Sequence, residues 1–133
     1  MDTIASAHAA ALWVGLHLIL LLVLSVLVVR QRRLHRVVLG DGGVPALEQA
    51  IRAFGNATEY VPAGLIAIGV LALAGASPMV VHVVGLTLFI GRAGHAIGLS
   101  RSGEASIPRT VGVVLTWLAY IAGAVALLFY AIP

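Results

Sequence analysis

Apolar residues fall in four stretches along the chain. Ala9–Val29 runs 21 residues and is interrupted only by His17 and Ser25; Val61–Ala76 runs 16 without a charge; Met79–Gly91 runs 13, broken by His82; Val111–Ile132 runs 22 without a charge. A helical bilayer crossing needs about 20 apolar residues, so the first and last stretches are complete spans. The middle two are too short alone. An open backbone cannot sit in lipid, so each must continue as helix into polar sequence. The second can extend only backward, over Tyr60, Glu59, Asn56 and Arg52 toward Leu47. The third can extend only forward, over Arg92 and His95 to about Leu99. Gly75-Ala76-Ser77-Pro78 between them reads as a tight turn.

The pattern predicts an all-α integral membrane protein: one domain over 1–133, a bundle of four transmembrane helices over about 5–36, 46–75, 78–100 and 108–132. Helices two and three form a hairpin, apolar at its turn and polar at the far end. The Gly40–Pro45 segment reads as a turn with Pro45 at a helix start, and Pro62 is expected to kink helix two. The first stretch lacks a basic leader and is too long for a signal-peptide core, so it is expected to be retained.

Composition narrows the function. Hydrophobic residues make up 61% of the 133 and charged residues 10%, against about half and a quarter in soluble domains. Disorder, a soluble enzyme and a nucleic-acid module are excluded. No cysteine is present, which removes disulfides, thiolate metal sites and a cysteine nucleophile. No histidine pair has metal-ligand spacing, so no metal is expected. All eight basic residues are arginine, at 30, 32, 33, 36, 52, 92, 101 and 109. All lie on the side of the first and third loops. The positive-inside rule puts those loops in the cytoplasm and both termini outside. A bacterial inner membrane is the expected location.

Polar groups then converge by depth. At ~1.5 Å per residue, Glu59, Asn56 and Arg52 lie roughly 25–36 Å from the hairpin turn, and Arg92 and His95 roughly 20–24 Å. Glu48, Arg52, Asn56 and Glu59 share one helical stripe, and Arg92, His95 and Leu99 another. Ionisable groups at such depth cost several kcal/mol unless they face protein or water. A polar pocket opening to the cytoplasm satisfies this. Eight arginines stand against Asp41, Glu48, Glu59 and Glu104 in this part of the chain, which favours an anion. Arginine matches carboxylate or phosphate with a planar fork, and Glu59 suits an ammonium group. A ligand with two carboxylates and one amine fits.

The run Glu48-x-x-x-Arg52-x-x-x-Asn56-x-x-Glu59-Tyr60-x-Pro62 resembles the signature of the membrane-associated proteins in eicosanoid and glutathione metabolism, the MAPEG family. Gly40-Asp41-Gly42-Gly43 and Arg92-Ala-Gly-His95-Ala-Ile-Gly98 are similar to its bacterial members. The resemblance covers essentially the whole chain. It implies a homotrimer that binds glutathione as co-substrate between subunits, and a glutathione transferase or peroxidase activity on lipophilic electrophiles or hydroperoxides drawn from the membrane lipid. By the same resemblance, Arg52, Asn56, Glu59 and Tyr60 bind glutathione, with Arg92 and His95 from helix three. Arg32 or Arg33, with Arg30 as the register alternative, supplies a further arginine from helix one. Arg109, helped by Arg33, is the expected catalytic group that holds the glutathione thiolate. Leu99 departs from the tyrosine of the leukotriene- and prostaglandin-forming synthases, and the loop before Arg109 is longer than in the leukotriene-forming synthase.

Blander readings stand beside these. The Arg30–Arg36 cluster serves as a topology anchor in most proteins, and Arg52, Asn56 and Glu59 could hold the bundle together. His17 and His82 read as packing residues, His8 and His35 as interfacial. Trp13, Trp117 and Tyr130 read as belt or packing aromatics, Gly94-x-x-x-Gly98 as a helix-packing signal, and Arg101 with Glu104 as a solvated loop pair. A non-catalytic lipid- or glutathione-binding scaffold is the alternative function. A small multidrug transporter ranks lower, because Ala9–Val29 holds no acidic residue.

Overall fold

The computed structural model describes residues 2–101 and 106–132; the Arg101–Glu104 pair reaches outside them, because Glu104 is not among the described residues. Four helices follow in order: α1 (Asp2–His35), α2 (Pro45–Leu73), α3 (Pro78–Arg101) and α4 (Ile107–Tyr130). All four are long and apolar enough to cross a membrane.

The ends follow local chemistry. Basic residues Arg32, Arg33 and His35 fill the last turn of α1, where cations complement the helix dipole. Arg36 then takes a positive φ of 55°, and the Arg32 Nη1 donates to the carbonyls of Val38 (3.3 Å) and Gly40 (2.9 Å). Val44 is extended and Pro45 opens α2, a position where the missing N–H costs nothing. Pro62 lies inside α2, which runs through it unbroken. Beyond α2, Gly75 sits at φ +79° and the Ala76 N–H reaches back to the Leu71 carbonyl at 3.0 Å, a glycine-terminated helix end.

The α2–α3 hairpin is the centre. α1 packs on both its helices from one side and α4 on both from the other; among the described residues α1 and α4 do not touch. Ser6 Oγ donates to the Ala76 carbonyl (2.6 Å), and the Ser77 N–H donates to the Tyr130 hydroxyl (3.3 Å). The start of α1 and the end of α4 therefore sit at the hairpin end, and the 36–44 loop, the end of α3 and the start of α4 sit at the other, the arginine end.

Two cores divide the bundle. Toward the hairpin, Trp13, Ile68, Leu71, Val81, Val84, Leu88 and Ala119 pack together. Trp13 lies on Gly85 and Leu88 on Gly64, so closely that a Cβ at either glycine would clash. His17 is buried, its Nδ1 at 2.7 Å from the Trp13 carbonyl and its ring against the edge of Phe89. His82 Nδ1 accepts from the Trp13 indole (3.1 Å). Both histidines are packing residues here, as is Trp13, whereas Trp117 is 55% exposed. Toward the arginine end the core narrows to Leu24, Ala53, Ala57, Ala96 and Leu99. The α3–α4 seam is closed by Gly91, Gly98 and Gly112, each with backbone or side-chain atoms of the opposite helix where a Cβ would be. The packing signal at Gly94-x-x-x-Gly98 therefore holds for Gly98 only; Gly94 makes an ordinary contact with the Pro108 carbonyl at 3.7 Å.

Candidate functional site

The residues singled out from sequence divide into three groups. The first is buried. Arg92 is 1% exposed and His95 4%, because the glycine seam brings α4 against this face of α3. Arg92 donates through Nε to Thr116 Oγ1 (2.7 Å), through Nη1 to Asn56 Oδ1 (2.7 Å) and through Nη2 to the Gly112 carbonyl (3.4 Å). Its guanidinium carbon lies 4.8 Å from the centre of the Tyr60 ring, within cation–π range. Thr116 Oγ1 donates in turn to the Gly112 carbonyl (2.8 Å). The Tyr120 hydroxyl donates to the Tyr60 carbonyl, and the two rings lie 6.1 Å apart. A buried charge is tolerable when every donor finds an acceptor, and this one is served by α2 and α4 together.

The second group is open. Pro45, Glu48, Gln49, Arg52, Leu99 and Arg109 line a cavity of about 300 Å³ at the arginine end. Arg52 comes from α2 and Arg109 from the first turn of α4, so two guanidinium groups from separate helices line one cavity with a carboxylate, Glu48. Such a set suits a small ligand with more than one anionic group and a cationic one. Beside it, Asn56 is half-buried and its Nδ2 donates to Glu59 Oε2 at 3.4 Å. Arg52 and Glu59 are exposed on this single chain. Within a membrane helix that face is stable only against water or other protein.

The third group stands apart. Arg33 is exposed and Arg32 reaches the loop carbonyls; neither lines the Arg52–Arg109 cavity. Among the described residues no three His, Asp or Glu side chains converge as metal ligands would.

Sequence reasoning did not single out Thr116, Gly112 or Tyr120. A faint signal existed: Gly112, Thr116, Ala119 and Gly123, spaced four, three and four, form the buried stripe of α4. Small residues at that spacing mark the helix-facing side of a membrane span.

Comparisons with known proteins identify the family. A model of the MAPEG family matches residues 10–129. The inner membrane protein YecN of Escherichia coli (strain K12) is 36% identical over 121 residues, covering 91% of this chain and 91% of that protein. YecN of Escherichia coli O6:H1 matches equally. The helices, the α2 polar stripe and these matches converge on one conclusion: the chain is a membrane protein that belongs to the MAPEG family.

Proposed function

We propose that the protein is a glutathione-dependent transferase or peroxidase acting on lipophilic electrophiles or hydroperoxides. The observation that carries this reading is the cavity where Arg52 and Arg109, from different helices, flank Glu48. Its charges complement a tripeptide with two carboxylates and one ammonium. Family membership supports the choice of glutathione. In this reading Arg52, Asn56, Glu59 and Tyr60 bind the tripeptide, and Arg109 holds its sulfur. His95 is buried and does not line that cavity.

The site is completed by a second copy in a homotrimer. Arg33 and Glu59, both exposed on the single chain, then meet ligand or neighbour instead of lipid. Both arginine-rich connections face the cytoplasm, where the positive-inside rule places them and where glutathione is abundant. The membrane is the inner one, like that of YecN.

The chemistry asks for a thiolate. A thiol of ordinary pKa, about 8.5, is a few per cent ionised at neutral pH. One guanidinium in a low-dielectric pocket lowers that pKa by about 1–3 units. The sulfur then attacks an electrophilic carbon and expels its leaving group, or attacks the terminal oxygen of a hydroperoxide, breaking the O–O bond to release the alcohol and leave a glutathione sulfenic acid, which a second glutathione converts to the disulfide and water. An entry in the plane of the bilayer supplies such substrates already concentrated.

Calorimetry of glutathione against the detergent-solubilised protein tests the reading. Micromolar to millimolar binding is expected, weakened ~10–100-fold by Arg52→Ala, the loss of one charged hydrogen-bonding group. Arg109→Ala keeps most of the affinity but raises the pKa of the bound thiol, read from thiolate absorbance. No binding to the unaltered protein overturns the reading. Binding with neither conjugation of a chloronitrobenzene nor reduction of a lipid hydroperoxide makes the protein a non-catalytic binder instead.

A further inference from the structure

The residues nearest the open cavity do not hold themselves in place. Asn56 belongs to α2, yet its orientation is decided two helices away. An arginine can only donate, so the Asn56 group facing Arg92 must be the carbonyl oxygen, at 2.7 Å. The amide nitrogen is thereby turned the other way, toward Glu59 and the open side. Arg92 in turn cannot choose freely. Its Nε is tied to Thr116 Oγ1 at 2.7 Å, its guanidinium carbon sits over the Tyr60 ring, and at 1% exposure it has no surface left for a ligand. Thr116 is itself wholly buried on α4 and anchored on the Gly112 carbonyl.

We infer that Arg92 is a positioning residue clamped by Thr116, and that the clamp makes Asn56 present N–H donors, so that the site selects a hydrogen-bond acceptor, a carboxylate or carbonyl, at that point. The ligand-facing part of this rests on the glutathione reading above; the clamp itself does not. It also revises the role that the resemblance implied for Arg92, from contact with the tripeptide to orientation of the residues that make contact. The same threonine links the site to the α3–α4 seam, because Gly91 leaves room for it: a Cβ at Gly91 would lie 2.9 Å from Thr116 Oγ1.

Asn56 is the single asparagine of the chain, so asparagine carrying a ¹⁵N side-chain amide gives one resonance pair in the full-length, detergent-solubilised protein. Thr116→Val keeps the side-chain shape and removes the hydroxyl. It is expected to move that pair toward the positions of a free amide, and Thr116→Ser is expected to restore it. Where Thr116→Val fails to fold, Arg92→Lys gives the same readout, since a point-like ammonium cannot serve Thr116 and Asn56 together. An amide pair that neither variant moves overturns the clamp, whether or not glutathione binds.

The ligand arm uses glutathione itself. Thr116→Val is expected to weaken binding ~5–10-fold, about the worth of one hydrogen bond, and to add nothing in an Asn56→Ala background. Losses that simply add would mean Thr116 acts on the bundle and not through Asn56. Asn56→Asp keeps an oxygen for Arg92 but replaces the donor; it is expected to lose binding at least ~10-fold. Unchanged binding in Asn56→Asp overturns the selection of an acceptor. If the unaltered protein binds no glutathione while the amide pair responds as expected, the tripeptide reading fails and the clamp stands.

Discussion

The two halves of the bundle are held by different means. Toward the hairpin, large side chains drop into glycine notches: Trp13 on Gly85, Leu88 on Gly64. Hydrogen bonds between helices there are few and neutral, such as Ser6 to the Ala76 carbonyl and the Trp13 indole to His82. Toward the arginine end, the apolar core shrinks to alanines and two leucines, and a guanidinium takes the centre. The contrast follows from the solvent. Lipid tails are as apolar as leucine, so burial from water does not drive helices together; close packing and interhelical hydrogen bonds do. The hairpin half relies on the first, and the arginine half adds the second to its glycine seam. Polarity is affordable in that half because three helices enclose Arg92 and each of its three guanidinium nitrogens has an acceptor.

Substitutions can break this contrast. The largest effect is expected from Arg92→Leu, which strands Asn56 Oδ1, takes away the donor to Thr116 Oγ1 and empties the centre of the polar half. A cost of about 3 kcal/mol or more follows from the charged hydrogen bonds lost, seen as a large fall in the thermal midpoint in detergent. If Arg92→Leu instead melts like the unaltered protein, the polar half is held by packing as the other half is. Gly112→Ala comes next. Its Cβ would stand 2.5 Å from the His95 backbone nitrogen and 2.6 Å from the Gly91 carbonyl, and neither can yield without parting the helices. Overpacking of this kind costs about 1–3 kcal/mol, and proteolysis at the α3–α4 connection should rise with it. The smallest effect belongs to the hairpin rim: Ser6→Ala removes the bond to Ala76 and is expected to cost only ~0.6 kcal/mol, the average for a hydrogen bond between membrane helices. A loss as large as that of Arg92→Leu would erase the distinction between the two halves.

Much of the architecture was readable along the chain. The apolar stretches 9–29 and 111–132 announced complete spans, and the short ones at 61–76 and 79–91 forced helices two and three to carry polar residues inward. Pro45 and Gly75 marked ends that the helices respect. The polar stripe of α2 was also visible, since Glu48, Arg52, Asn56 and Glu59 recur at helical spacing. Less legible was how the arginines differ. Arg52 and Arg92 look alike in sequence, each a cation within a membrane helix and followed by alanine. One lines an open cavity and the other has no exposed surface to speak of.

Span number, the polar end of the hairpin and the sharing of faces follow from counting, because helical rise and the lipid's refusal of open backbone leave few ways to thread this pattern through a bilayer. Which side chains turn inward is another matter. Arg92 is buried because Thr116 and Gly112, on a helix 20 or more residues further along, bring an acceptor hydroxyl and a bare carbonyl to it. A side chain's fate in lipid depends on such partners, and partners distant in sequence are brought together only when the helices pack.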